Sequence, residues 1–177
     1  TLTLGPQRGQ AVAASPLPGV PLSDSSKICA SLEIRVPRAH VQGLASQLDS
    51  VMAWLWSPEQ LSAATHTREL PDGGRQLLVR DGDKLRTRVV SSEQERVVVE
   101  AAYVPRDPAV PSRRLHYELA LEGGPGTTRV ELSLSWQEGE APSGVAGERR
   151  WRRNLEQCLS RLQQAATAAH PGAESTG

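Results

Sequence analysis

The segment from Ser143 to Ala169 most constrains the fold of this 177-residue chain, because it is the only stretch with a sustained helical period. Apolar residues recur along it at spacings of three and four, so they share one face of a helix. These residues are Trp151, Leu155, Cys158, Leu159, Leu162, Ala165, Ala166 and Ala169. With about 25 residues, the helix forms a rod of about 40 Å. An apolar stripe of that length needs a large concave surface, which the preceding chain must provide.

The preceding chain is predicted to provide this surface as an antiparallel sheet. From Lys27 to Val36, apolar and polar residues alternate strictly, which predicts a half-buried strand that ends at Pro37. Turn sequences such as Pro71-Asp72-Gly73-Gly74 then separate further strands. These strands are predicted over residues 61–70, 75–80, 84–91, 96–104, 115–122 and 130–137. A run of hairpins indicates an antiparallel sheet.

Two short helices are predicted after the first strand, over residues 39–48 and 51–61. Because helices flank the run of hairpins, the chain is predicted to be α+β. We expect a helix-grip fold, in which a curved seven-stranded antiparallel sheet wraps around the long C-terminal helix. The domain should cover residues 27–169, with a flexible Pro-, Gly- and Ser-rich arm over 1–26 and a disordered tail over 170–177. An arm that folds over a cavity mouth is the alternative.

Charge and cysteine content argue against several classes of function. Twenty basic and twenty acidic residues give a formal charge of zero, so no overall field attracts nucleic acid or anionic lipid. No apolar run is long enough to span a membrane, and the N-terminal segment lacks a secretory-signal pattern. Cys29 and Cys158 match no metal-ligand spacing, so we expect reduced thiols in the cytoplasm. We expect no metal, no cofactor and no nucleic-acid partner, and the oligomeric state is not predicted.

Three further motifs favour ordinary structural roles. The Gly123-Gly124-Pro125-Gly126 sequence joins two strands, so it is a hairpin turn and not a phosphate loop. In the arginine-rich run 149–153, the helical period turns Trp151 inward and the arginines toward solvent. His66 and His116 have no Asp or Ser partner at a spacing typical of a catalytic triad.

The order of these elements, together with several short motifs at their ends, resembles a known superfamily. The motifs are the strand exit Leu32-Glu33-Ile34-Arg35-Val36-Pro37-Arg38-Ala39-His40-Val41, then Leu48-Asp49, Trp56-Ser57-Pro58, Thr127-Thr128-Arg129-Val130-Glu131-Leu132, and Trp151 with Leu155, Leu159 and Leu162. They look like the corresponding segments of Bet v 1-like or START-like proteins, in bacteria usually the polyketide cyclase/dehydrase and lipid-transport group. In one departure, Gln42-Gly43-Leu44 stands where that family commonly has an aromatic residue.

The resemblance implies a cavity between the long helix and the sheet that binds a small hydrophobic or amphipathic molecule. It implies no catalytic motif, and none is predicted. Buried Tyr and Trp side chains need polar partners, so those on the inner face would orient a ligand, unless they only pack the core. The candidate ligand-binding residues are Trp56, Arg88, Tyr103, Tyr117, Leu119, Leu134, Trp136, Trp151 and Leu155.

Three functions remain open at this stage. The first is ligand binding without catalysis. The second is a cyclase- or dehydratase-type enzyme, in which Tyr117 and Arg88 orient and polarise a polyketide-like keto substrate. Such an enzyme needs an inward ionisable group with a partner, so finding Arg88, His66 and Glu100 all on the convex face would count against it. The third is a protein-binding helper similar to heat-shock-protein activators, which would act through the convex surface.

Overall fold

The computed structural model of the protein describes residues 27–136 and 144–170. The predicted arm over 1–26 lies outside the described residues, as does nearly all of the predicted tail. The elements in chain order are β1 (Lys27–Ile34), α1 (Arg38–Ser46), α2 (Leu48–Leu55), α3 (Pro58–Ser62), β2 (Ala64–Glu69), β3 (Arg75–Val79), β4 (Lys84–Ser92), β5 (Arg96–Val104), β6 (Arg113–Gly123), β7 (Thr128–Trp136) and α4 (Gly144–Ala169). The predicted α+β helix-grip fold is confirmed.

The segment between β1 and β2 holds three helices, one more than the sequence predicted. The predicted second helix over 51–61 is interrupted at Trp56 and Ser57, because both residues have extended backbones. Ser57 starts α3 through a capping box, in which its side chain accepts from the Gln60 N–H and the Gln60 side chain accepts from the Ser57 N–H. Pro58 at the first helical turn favours the same start.

The seven strands form one antiparallel sheet in the order β1-β7-β6-β5-β4-β3-β2. The first strand therefore pairs with the last, while the other neighbours follow the chain order. The turn from β6 to β7 requires glycine at Gly123, whose φ is +145° and where a Cβ would lie 2.3 Å from the Thr127 carbonyl oxygen.

The sheet has an inner face toward the helices and an outer face toward solvent. Ile28, Leu134, Tyr117 and Val99 are cross-strand neighbours and form one fully buried row of the inner face. α4 packs against β1 and β7, while α1 and α2 pack over β4 to β6 and against α4. The hydrophobic core thus lies between one side of the sheet and three helices.

The apolar stripe of α4 is narrower than its sequence predicted. Leu155, Cys158, Leu159, Leu162 and Ala166 are buried, whereas Trp151 is half-buried. Ala165 and Ala169, which were expected on the stripe, are exposed. Within the described residues, no helix is both long and apolar enough to cross a membrane.

Arg161 of α4 lies over the end of α2. Its Nε donates to the Trp54 carbonyl oxygen at 3.0 Å, and its Nη2 donates to the Leu55 carbonyl oxygen at 3.2 Å. The last carbonyls of a helix have no partner within the helix, so this guanidinium satisfies two of them. Arg161 therefore fixes α2 to α4.

Candidate functional site

The position of α4 along the sheet determines which apolar side chains meet at each end of the core. Gln163 donates to the Glu33 carbonyl oxygen near the end of β1 (3.4 Å), and Cys158 lies close to Tyr117, in the row that contains Ile28. Trp151 lies two turns before Cys158, about 10 Å further along the helix. It therefore reaches the end of the sheet where β1 begins and β7 ends.

Burial of the inner face falls off toward this end. In the middle of the sheet, Leu119 and Leu134 are 1% and 0% exposed, and Leu155 of α4 is 0% exposed. Side chains that are this inaccessible to water line no space that could hold a ligand. Leu115 and its cross-strand partner Trp136 are only half-buried, as is Trp151. We refer to Leu115, Trp136 and Trp151 as the half-open end.

Tyr117 is the polar group that adjoins the half-open end. It lies two residues after Leu115 on the same face of β6 and is 3% exposed. Burial raises the pKa of its hydroxyl well above the ordinary value of a tyrosine, and the nearby Cys158 thiol adds to this shift. Like an ordinary tyrosine, Tyr117 is neutral at physiological pH, so its hydroxyl can donate or accept a hydrogen bond.

Cys158 is held in the same buried region by polar contacts. Its Sγ lies 3.4 Å from the Leu55 carbonyl oxygen and accepts from Nη2 of Arg161 at 3.4 Å. Burial raises the pKa of the thiol to about 11, although the Arg161 charge opposes the shift. A buried thiol that stays protonated is a poor nucleophile, so Cys158 has a packing role.

The two cysteines should differ in their reactivity toward thiol reagents, which can be tested directly. Cys29 is exposed on β1, whereas Cys158 is buried. We expect a thiol-specific reagent such as iodoacetamide at pH 8 to modify Cys29 in the native protein and both cysteines in urea. Mass spectrometry of the intact protein measures the number of labels. Native labelling of Cys158 at the same rate as Cys29 would contradict the packing described here.

The other predicted ligand-binding residues have different surroundings. Trp56 is buried, and its Nε1 donates at 2.7 Å to Oγ1 of Thr87, in the cross-strand row that continues through Ala101 to Leu115. Tyr103 lies near the end of β5 and is 37% exposed, and its hydroxyl donates to the Asp83 carboxylate. This bond holds the pKa of Asp83 below its ordinary value. Tyr103 therefore contacts a surface loop and not the packed interior.

Arg88, which was predicted to contact a ligand, lies on the outer face of the sheet and not in the interior. The adjacent Thr87 faces inward and bonds to Trp56, which turns Arg88 to the outer face. There its guanidinium pairs with Glu100 and lies 3.8 Å from Asp72. A buried guanidinium would need an equally buried partner, whereas these carboxylates satisfy Arg88 near solvent.

The register places all three ionisable groups of the enzyme hypothesis on the outer face. Glu100 pairs directly with Arg88, and His66 pairs with Leu78, in phase with the outward Arg86. This is the arrangement that counts against a cyclase-type site in the core. Among the described residues, no group of three or more His, Cys, Asp or Glu side chains is placed to hold a metal ion.

Leu115 belongs to the half-open end but was not among the predicted ligand-binding residues. Leu115 lies two residues before the inward Tyr117, and this period of two is the sequence signal that could have placed it on the inner face. The sequence could not reveal its partial exposure, which depends on where α4 begins relative to the sheet.

Comparisons with known proteins relate the chain to others by structure. No protein-family model matches the chain, and no curated protein matches it in sequence. A START superfamily protein from Mycobacterium smegmatis matches with a TM-score of 0.53 and 13% identity, over 81% of this chain and 98% of that one. Ara h 8.0201 matches with a TM-score of 0.56 and 10% identity, over 80% of this chain and 97% of that one.

DynU16, a protein of the dynemicin biosynthetic locus, matches with a TM-score of 0.52 and 15% identity. The match covers 78% of this chain and 46% of DynU16, so this chain spans less than half of that protein's length. Identities at this level carry information about fold alone. The chain has the helix-grip fold of the Bet v 1-like and START-like proteins, as its sequence predicted.

Proposed function

We propose that this protein binds a small hydrophobic or amphipathic molecule at the half-open end of its core. The observation that carries the proposal is the change in burial along the inner face. Leu119, Leu134 and Leu155 are packed on all sides, whereas Leu115, Trp136 and Trp151 keep accessible apolar surface. Small-molecule sites are mostly apolar and concave and carry a few polar groups.

In this proposal the ligand enters between β7 and the start of α4. The two indoles, Trp136 and Trp151, supply large apolar walls, and the apolar part of the ligand displaces water from them. The neutral Tyr117 hydroxyl meets a polar group at the inner end of the ligand. Three further predicted residues, Leu119, Leu134 and Leu155, act as the packed floor.

Ligand binding is preferred here to the enzyme alternative, because Arg88 and Glu100 lie on the outer face and pair with each other. The protein-binding helper is supported by no contact of the described residues. A cytoplasmic location is part of the proposal and fits the two free thiols, Cys29 and Cys158, neither of which is in a disulfide.

The proposal is tested with N-phenyl-1-naphthylamine, an uncharged apolar dye that fluoresces when it leaves water. We expect one saturable site in the wild-type protein. A Leu115→Trp substitution should weaken binding about tenfold or more, because the added ring volume occupies the space that the dye needs. Fluorescence titration gives the Kd of each variant.

A matched control is available at Leu32, which is also a half-buried leucine of the inner face. It pairs with Val130, about 20 Å along β7 from Trp136. Leu32→Trp should change the Kd by less than about twofold, and urea unfolding checks that both variants fold cooperatively. Equal weakening by the two substitutions, or no saturable binding by the wild-type protein, would refute the proposed site.

A further inference from the structure

Exposed apolar side chains surround the half-open end. Within residues 27–136 and 144–170, the large apolar side chains that are exposed are Val90, Tyr103, Val110 and Val145. All but Val90 lie at this end of the sheet, because Tyr103 pairs with the first residue of β6, Val110 is in the loop before β6, and Val145 is at the start of α4. Apolar side chains that cluster in this way typically mark a binding surface.

Three segments of the chain lie outside the described residues, and only one of them has the composition of an apolar cover. Residues 137–143 and 171–177 contain no Val, Ile, Leu, Met or aromatic residue. Residues 1–26 contain several Leu and Val residues, and three of these stand with two prolines in the sequence Leu17-Pro18-Gly19-Val20-Pro21-Leu22. We refer to residues 17–22 as the apolar segment.

The apolar segment is close enough in the chain to reach the half-open end. Lys27, the first residue of β1, pairs with Ser135, which is the neighbour of Trp136 in β7. The residues from Leu22 to Lys27 span at most about 18 Å. Trp136 is one strand away from Lys27 and Leu115 is two strands away, which corresponds to about 5 Å and about 10 Å. Both side chains are therefore within reach.

The linker between the apolar segment and β1 allows the turn that this contact requires. Because β1 runs away from the half-open end, the chain that precedes Lys27 points past the end of the sheet. The linker is Ser23-Asp24-Ser25-Ser26, and Ser and Asp favour turns because their side chains hydrogen-bond to nearby backbone groups. Four residues are enough for one turn, which would bring the chain back over the inner face.

The composition of the apolar segment also matches the side chains at the half-open end. Proline restricts the backbone to extended conformations, so a proline-containing segment loses little conformational entropy when it binds. Such segments commonly dock in grooves that are lined by aromatic side chains. Trp136 and Trp151 provide two half-buried indoles at this end.

We propose that the apolar segment docks on the half-open end of its own chain, where Val20 and Leu22 pack against Trp136 and Trp151. A short linker gives an effective concentration on the order of 1 mM, so even a weak contact is populated. Docking covers the entrance between β7 and α4, and the segment therefore competes with a small-molecule ligand. The competition rests on the proposed function, whereas the docking does not.

Photo-crosslinking tests the docking without a ligand. Val20 is replaced in the full chain by p-benzoylphenylalanine, whose excited ketone reacts with the C–H bonds that it contacts. We expect cross-links within one chain to peptides that contain Leu115, Trp136 or Trp151, which mass spectrometry of a digest identifies. The matched control carries the same photoreactive residue at Leu4 and should show no preference for these peptides.

Two results of the cross-linking would overturn the proposal. The first is a set of cross-links from position 20 that matches the set from position 4, or that reaches only the outer face of the sheet. The second is a covalent dimer on a denaturing gel in place of cross-links within one chain, because the half-open end would then bind a second copy.

Titration with N-phenyl-1-naphthylamine measures the competition. Val20→Ser/Leu22→Ser removes two apolar side chains without changing the charge, and it should lower the Kd of the dye about fivefold because the segment no longer covers the site. Leu2→Ser/Leu4→Ser makes the same chemical change outside the apolar segment and should alter the Kd by less than about twofold.

The titration separates this proposal from the proposed function. Equal Kd values for the wild-type protein and Val20→Ser/Leu22→Ser would show that the segment does not cover the site and would overturn the proposal. Absence of dye binding in every variant, with the cross-link present, would refute the proposed ligand site and still support the docking.

Discussion

Replacing Leu155 with alanine should lower the free energy of unfolding by about 3–5 kcal/mol. Leu155 is 0% exposed and packs in the core between α4 and the sheet. The substitution removes buried methyl groups and leaves a void that closely packed neighbours fill only in part, so its cost belongs at the upper end of the usual range. Urea denaturation measures the loss as a lower midpoint concentration, while the dependence of the free energy of unfolding on urea concentration stays unchanged.

Val145→Ala is the control for this experiment. Val145 lies on the same helix but is 67% exposed, so we expect its truncation to change the free energy of unfolding by less than about 0.5 kcal/mol. A loss below about 1 kcal/mol in Leu155→Ala would mean that the middle of the core already contains empty space. The candidate ligand cavity would then extend beyond the half-open end.

The second large effect is a loss of stability at alkaline pH. Burial raises the pKa of Cys158 from 9.0 to about 11, so the folded protein holds the thiol proton more tightly than the unfolded chain does. Where the folded state binds more protons, stability falls as the pH rises. The contribution of the Cys158 thiol to the free energy of unfolding is fully present below about pH 9. It is lost progressively up to about pH 11, by about 2–3 kcal/mol in total.

Tyr117 acts in the same direction at higher pH. Its folded pKa is also raised, so it adds to the loss once the pH exceeds the ordinary tyrosine value of about 10. Urea denaturation at several pH values between 8 and about 11 measures the combined slope, and the range starts where the unfolded thiol begins to titrate.

Two cysteine variants separate the cause of this alkaline loss. Cys158→Ala should flatten the pH dependence between about pH 9 and 10 and leave only the Tyr117 contribution above about pH 10. It should also lower stability below about pH 9, because it removes a buried side chain. Cys29→Ser should keep the slope of the wild-type protein, because Cys29 is exposed. A slope that persists in Cys158→Ala and disappears in Cys29→Ser would show that the wrong thiol had been assigned.

The fold could be predicted from the sequence because local sequence patterns determine most of its helices and strands. Alternation in β1, the turn residues at Pro71 to Gly74 and the apolar stripe of α4 each determine one element and the face that it buries. The sequence did not show how far the buried stripe extends along α4. Ala165 and Ala169 continue the helical period but are exposed, because periodicity does not report where the partner surface ends.

The candidate site depended on longer-range contacts, which a local pattern does not contain. The bond from Arg161 to the Trp54 carbonyl joins residues 107 positions apart, and together with Gln163 it sets how far α4 extends past the sheet. That extension decides that Trp151 is half-buried and Leu155 fully buried.

The pairing of the first strand with the last has a consequence for how the chain acquires its structure during synthesis. Thr128 of β7 donates to the Val36 carbonyl just after β1, across 92 residues, so β1 has no neighbouring strand until most of the domain has been made. Contacts between such distant residues are slow to form, because a long loop must close first. Until the ribosome releases β7 and α4, the nascent chain exposes the apolar surface of β1, and we expect it to depend on chaperones during that interval.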